Sequence, residues 1–140
     1  MEAGNCIFFI LAKGSQVGTK FLNSKVSRLN LTTVQALVIA FLFDQDQIMA
    51  GELGKKIELD SATLTGILDR LEMARLIERK GNPVDRRSVK IHLTKKGKEI
   101  GRDVGKLIEK ANEEFLSAFT ENERQTLLSL IKKLREQFSR

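Results

Sequence analysis

Between residues 75 and 102 the chain carries ten Lys/Arg against three Asp/Glu, around the turn-rich stretch GNPVDRR at 81–87. The whole chain has a net charge of +6, so everything outside this block is close to neutral. Scattered lysines usually mean a solvated surface. Cationic groups gathered beside one structured turn instead suit a polyanion, above all nucleic acid. A loop tip can place a guanidinium in a narrow minor groove, where negative potential is enhanced. Arg86 and Arg87 have that chemistry, and Asp85 can orient a neighbouring arginine through a bidentate pair. Arg79, Lys80, Lys90, Lys95 and Lys96 fit phosphate contacts or long-range steering. The plain alternative for 81–87 is an ordinary polar hairpin loop.

Just upstream, SATLTG at 61–66 gathers small side chains at the expected start of a helix. An α-helix fits the DNA major groove, and its first turns reach base edges. Ser61, Thr63 and Thr65 both donate and accept hydrogen bonds, and Ala62 and Gly66 belong to the same two turns. The plain alternative for these hydroxyls is capping and exposure to solvent.

The elements around these residues can be read from spacing. Residues 2–29 read as a helix, or as a helix kinked near Gly14 and Gly18. Its first turns, CIFFIL, are apolar over so wide an arc that burial on more than one side is needed, for example by a partner chain. Thr32 with Gln35 forms a capping box ahead of an apolar helix through Phe43. Ile48 and Met49 make a very short strand. A short helix over 51–57 and a turn at Glu58-Leu59 follow. Asp60 or Ser61 then caps a helix with Leu64, Ile67, Leu68 and Leu71 at helical spacing. That is the layout of a helix-turn-helix, with Gly54 where the two helices approach. LIERK and SVKIHL alternate as half-buried strands, with Leu76, Val89, Ile91 and Leu93 inward. Thr94 caps a helix over 95–119, and TENE at 120–123 caps a last amphipathic helix. The expected fold is mainly α with a small antiparallel β wing. Residues 1–31 and 95–140 are expected to form a dimerisation lobe around a winged helix-turn-helix at 32–94.

Composition excludes several classes. No run of about 18 apolar residues exists, so no membrane span is expected. CIFFILA is too short to span and lacks the flanks of a signal peptide. The single cysteine, Cys6, allows no intrachain disulfide and fits a reducing cytoplasm. One cysteine and one histidine cannot build a conventional zinc site, and no metal or other cofactor is expected. Tryptophan and tyrosine are absent, which weakens a base-stacking RNA surface. There is no Gly-rich phosphate loop, no H-E-x-x-H and no Ser/His/Asp set, so an enzyme is not expected.

LTTVQALVIAFL, the stretch GELGKKIELDSATLTGILDRLEMARLIERKGNPVDRRSVKIHLTKKGKEI and the long terminal helices together resemble the MarR family of dimeric winged-helix transcription regulators. The most specific part is the wing, NPVDRRSVKIHLTKKG, with its D-x-R and the downstream L-T-x-x-G. The resemblance spans nearly the whole chain. It implies an obligate dimer, built from the first helix and the last two, on a pseudo-palindromic operator in double-stranded DNA. It implies base-edge contacts from the helix beginning at Ser61, and minor-groove insertion by Arg87 with Asp85 as its brace. Two positions depart from the family. Arg75 and Glu58 stand where glycine is usual, and a left-handed helix end is costlier without glycine, so the end at Arg75 is expected to differ.

The expected function is therefore a sequence-specific regulator, a repressor whose DNA affinity a small-molecule effector alters. An architectural DNA binder and a protein-interaction module are the competing classes. Cys6 is the candidate redox residue, because the hydroperoxide sensors of the resembled family carry a reactive cysteine near this point, and LDSATLT also looks like that branch. Those sensors stabilise the thiolate with tyrosine hydroxyls, and here there is none. Aligned through LNLT, Cys6 is also out of step. A lone cysteine in CIFFI reads as a small buried hydrophobe of little reactivity.

Overall fold

The first helix, α1 (Ile7–Val26), runs unbroken through Gly14 and Gly18. Of the two alternatives read from the sequence, the continuous helix is the one found. Among the described residues no glycine adopts a positive φ, and glycine inside a helix costs entropy without breaking the hydrogen-bond ladder. The computed structural model describes residues 2–85 and 88–139. Short 3₁₀ turns flank α1 at Ala3–Asn5 and Ser27–Leu29. Thr32 then caps α2 (Thr33–Asp44): its hydroxyl accepts the Gln35 N–H at 3.2 Å, while Gln35 Oε1 accepts the Thr32 N–H at 2.9 Å. The capping box is as expected.

Helix α2 is apolar all round, and it sits at the centre. Ala36, Val38, Ile39 and Leu42 are buried. They meet Val26, Leu53, Leu71, Ile77, Ile91 and Val104 in one core. Burying each large aliphatic side chain contributes roughly 1.5–3 kcal/mol, so this cluster holds the fold. The opposite side of α2 leaves Val34, Leu37 and Phe41 exposed in the single chain.

Strand β1 (Ile48–Met49) leads into α3 (Ala50–Ile57) and α4 (Ser61–Met73). Strands β2 (Ile77–Gly81) and β3 (Val89–Leu93) complete an antiparallel sheet of order β1-β3-β2. Its register pairs Ile48 with Ile91, Ile77 with Leu93, and Lys80 with Lys90. Leu76, Ile91 and Leu93 face inward as expected, and Val89 is only half-buried. Ile77, not singled out from the sequence, is buried at 1% exposure.

Helix α5 (Lys95–Phe115) packs on α2 and α1. Two glycines permit close approach along α5, one to the link between α4 and β2 and the other to α2. A Cβ on Gly97 would lie 1.9 Å from the Leu76 carbonyl oxygen, and one on Gly101 would lie 2.7 Å from the Phe43 ring. Phe21 and Phe115 stack with centroids 5.1 Å apart, and Lys25 hydrogen-bonds Glu114. That bond from Lys25 holds the Glu114 carboxyl below the usual carboxylate range. α5 ends four residues before the expected Phe119. The Arg124 guanidinium takes up the freed carbonyls, donating to Leu116 O at 3.1 Å and Phe119 O at 3.3 Å. Thr120 and Glu123 then make the expected capping box for α6 (Glu121–Phe138). No α6 residue is buried: Leu128, Leu130, Ile131, Leu134 and Phe138 all stand exposed. Among the described residues no single helix is long and apolar enough to cross a membrane.

Candidate nucleic-acid interface

Helices α3 and α4 are held together by Leu53, Leu64, Leu68 and Leu71, all buried. The turn between them is made by Glu58 in the left-handed region, φ 55°, with the Leu59 N–H donating to Gly54 O at 3.1 Å. A Cβ on Gly54 would lie 3.4 Å from Leu59 O and from Leu64 Cδ2. That is the edge of ordinary contact, so glycine eases the approach of the two helices more than it permits it.

Asp60, not Ser61, caps α4. Its carboxylate accepts the Thr63 hydroxyl at 2.7 Å and the Thr63 N–H at 2.8 Å. The hydroxyl bond is the larger cause, and together they hold the Asp60 carboxyl below its usual value. The Thr65 hydroxyl donates to Ser61 O at 2.7 Å. Thr63 and Thr65 have thus committed their protons within the helix, and the lone pairs left over can only accept. Such groups suit the amino groups of adenine and cytosine in the major groove. Ser61, Ala62, Thr63, Thr65 and Gly66 are all exposed, so the structure brings all five onto the open first turns of α4.

The wing turn is organised by Asn82. Its Oδ1 accepts the Val84 N–H at 3.0 Å, and its N–H donates to Ser88 O at 3.0 Å. The Asp85 carbonyl accepts the Ser88 N–H at 3.1 Å and the Ser88 hydroxyl at 2.9 Å. Arg86 and Arg87 lie outside the described residues. Asp85 is exposed.

The five basic residues expected at phosphates divide. Lys80 and Lys90 face each other across β2 and β3, and like charges directly opposed on a sheet are destabilising. Lys80 also lies 3.6 Å from Glu78. Lys95 is exposed at the start of α5. Lys96 instead donates to Ala74 O at 3.3 Å, capping the last turn of α4. Arg79 turns inward onto α4, where its guanidinium pairs with Asp69 and lies 3.8 Å from Glu72.

Comparison with known proteins places this geometry. The MarR family model matches residues 31–89. A variant of MarR from E. coli, solved in complex with operator DNA, is 31% identical. The match covers 89% of this chain and 90% of that one, with a TM-score of 0.83. The chain belongs to the MarR family. The organic hydroperoxide resistance transcriptional regulator of Bacillus subtilis is 36% identical over 97 residues, 69% of this chain and 66% of its own length. The HTH-type transcriptional regulator MgrA of Staphylococcus aureus is 35% identical over 85 residues, 61% of this chain and 58% of its own. The chain therefore spans less than two thirds of these regulators. They are named as regulators and not as enzymes, in agreement with the expectation from the sequence.

Within this MarR-family chain, spacing alone missed Asp69 and Glu72, which hold Arg79. It also missed Lys55, which borders the groove between α3 and α4 beside Ser61 and Thr65. Cys6 is half-buried at the N-cap of α1 and its side chain makes no capping hydrogen bond, so in the single chain it is less buried than the small buried hydrophobe read from the sequence.

Proposed function

We propose that the chain is a transcription regulator that binds a pseudo-palindromic operator as a homodimer, a repressor whose affinity a small ligand changes. Residues 32–94 carry the DNA contacts. Residues 1–31 and 95–140 supply the dimer lobe, in a reducing cytoplasm. The observation that carries this reading is the open first turns of α4, where Ser61, Ala62, Thr63, Thr65 and Gly66 all stand exposed. Lys95, exposed at the start of α5, meets a DNA phosphate with release of counterions. Ser61, Ala62, Thr63, Thr65 and Gly66 then read base edges, with Arg87 and Arg86 reaching the minor groove.

Dimerisation is supported by apolar surface that one chain leaves open. Phe8 is 78% exposed and Phe138 75%, on helices whose other faces meet the body only in part. Ligand control is supported by a cleft of about 290 Å³ where the α1–α2 link meets the ends of α4 and α5. Leu29, Leu71 and Ile100 line it, with Arg70 and Lys96 at its edge.

A second reading, peroxide sensing through Cys6, is favoured by the similarity to the Bacillus subtilis regulator. The missing tyrosines weigh against it. The test of the main reading is selection from random duplexes. Enrichment of a two-fold symmetric site, with half-sites about one helical turn apart, is the expected result. Recovery without sequence preference would leave an architectural binder.

A further inference from the structure

Arg79 is a charged residue on the inner face of a strand. Strand side chains alternate, and Arg79 shares its face with buried Ile77 and is paired with buried Ile91. Its neighbours Glu78 and Lys80 point the other way and are exposed. Inner-face geometry drives the guanidinium at α4, and α4 is built to receive it. Asp69 takes Nη2 in a hydrogen-bonded ion pair, and the Thr65 carbonyl accepts from the same nitrogen at 3.4 Å. Glu72 lies 3.8 Å from Nη1, and its Oε1 accepts the Arg79 backbone N–H at 3.2 Å. That N–H points off the free edge of β2, so one carboxylate both covers the edge and holds the side chain. The side chain retains 27% of its exposure.

We infer that Arg79 is a positioning residue: it fixes the wing strand to the helix that reads the groove, and it makes no phosphate contact of its own. β2 carries the wing directly at its far end, at Gly81. Thr65, exposed on the second turn of α4, has its carbonyl held by the same guanidinium. Two probes of one duplex are thereby kept at one spacing, as rigid support of a binding constellation requires. The forked geometry matters, because lysine keeps the charge and loses the simultaneous contacts. This inference rests on the reading that α4 and the wing grip DNA together.

Arg79→Lys and Asp69→Asn test it, each alone and combined with Arg87→Ala, on operator duplexes at several salt concentrations. A positioning role predicts that Arg79→Lys weakens operator binding by about tenfold with the salt slope unchanged. Arg87→Ala then adds little in that background, since a misplaced wing has nothing left to lose. Asp69→Asn, which touches no phosphate, produces the same coupling in milder form. Hydrogen exchange at the Val84 and Ser88 amides is expected to quicken in Arg79→Lys without DNA present. Unchanged exchange, or a salt slope shallower by about one unit with additive Arg87 effects, would show a phosphate contact and overturn the proposal. Faster exchange without operator binding by the wild type would retain the brace and sink the DNA reading instead. A variant that melts before titration is replaced by Asp69→Asn, whose coupling to Arg87 decides the matter.

Discussion

Arg75 closes α4 in the left-handed region, φ 60°, and its carbonyl accepts the Thr94 hydroxyl at 2.7 Å. The Leu76 N–H donates to Leu71 O at 3.0 Å and the Arg75 N–H to Glu72 O at 2.9 Å. This is a complete Schellman closure without glycine. The expectation that the helix end would differ is therefore corrected: the backbone keeps its conformation and bears the cost. Thr94 explains why. The same residue caps α5, through Gly97 N–H at 2.9 Å, and ties it to the end of α4.

Arg75→Gly is accordingly expected to stabilise the chain, by about 0.5–1 kcal/mol after the added freedom of the unfolded glycine is discounted. Urea unfolding of both forms measures it. A destabilised variant would mean that Arg75 makes side-chain contacts worth more than the strain.

Acid should weaken the α4 cap. The folded Asp60 carboxyl is held below its ordinary value by Thr63. A depressed pKa gives stability that is present above the unfolded pKa, about 4, and lost as pH falls through the folded value. Asp60→Asn should thus be less stable than wild type near neutral pH, with the gap closing below about pH 4. A gap constant across that range would remove the carboxylate from the account.

The chain should sediment as a dimer at micromolar concentration. Removing residues 121–140 takes away α6 and its exposed Leu128, Leu130, Ile131 and Leu134, and should abolish both the dimer and operator binding. A monomeric full-length chain that still binds a symmetric site would contradict the assignment of α6.

Cys6→Ser should leave DNA affinity unchanged, and hydroperoxide should act alike on wild type and variant. The Cys6 side chain makes no capping hydrogen bond at the start of α1, and the chain has no tyrosine to stabilise a thiolate. Release of DNA by oxidised wild type alone would establish the peroxide-sensing reading.

The winged helix was legible because its signals are local. Thr32, Thr94 and Thr120 each announce a helix by capping chemistry, and alternation in 89–93 announces a strand. Contacts between distant elements were not. Arg79 was read as one more surface cation, although its strand phase beside Ile77 already pointed it inward. Its partners Asp69 and Glu72 lie on another element, and a linear pattern carries no distance between elements. Lys96 shares this history, since its bond to Ala74 depends on how α5 crosses the end of α4. At Arg75 residue type misled, because neighbouring hydrogen bonds enforce a backbone that the side chain disfavours, whereas the turn expected at Glu58-Leu59 is found.

The central claim is that this chain reads sequence and does not merely collect charge. Three variants titrated against operator and scrambled duplexes at several salt concentrations test it. Arg87→Ala should cost about 1–3 kcal/mol per half-site, with modest dependence on sequence outside the A·T content of the minor groove. Thr65→Ala, which removes a hydroxyl that can only accept, should change the preferred bases and lose less on scrambled DNA. Lys95→Ala should weaken binding to both duplexes alike and make the salt slope shallower by about one unit. Equal losses by all three variants on both duplexes would contradict the account, and the chain would then be a binder of charge alone.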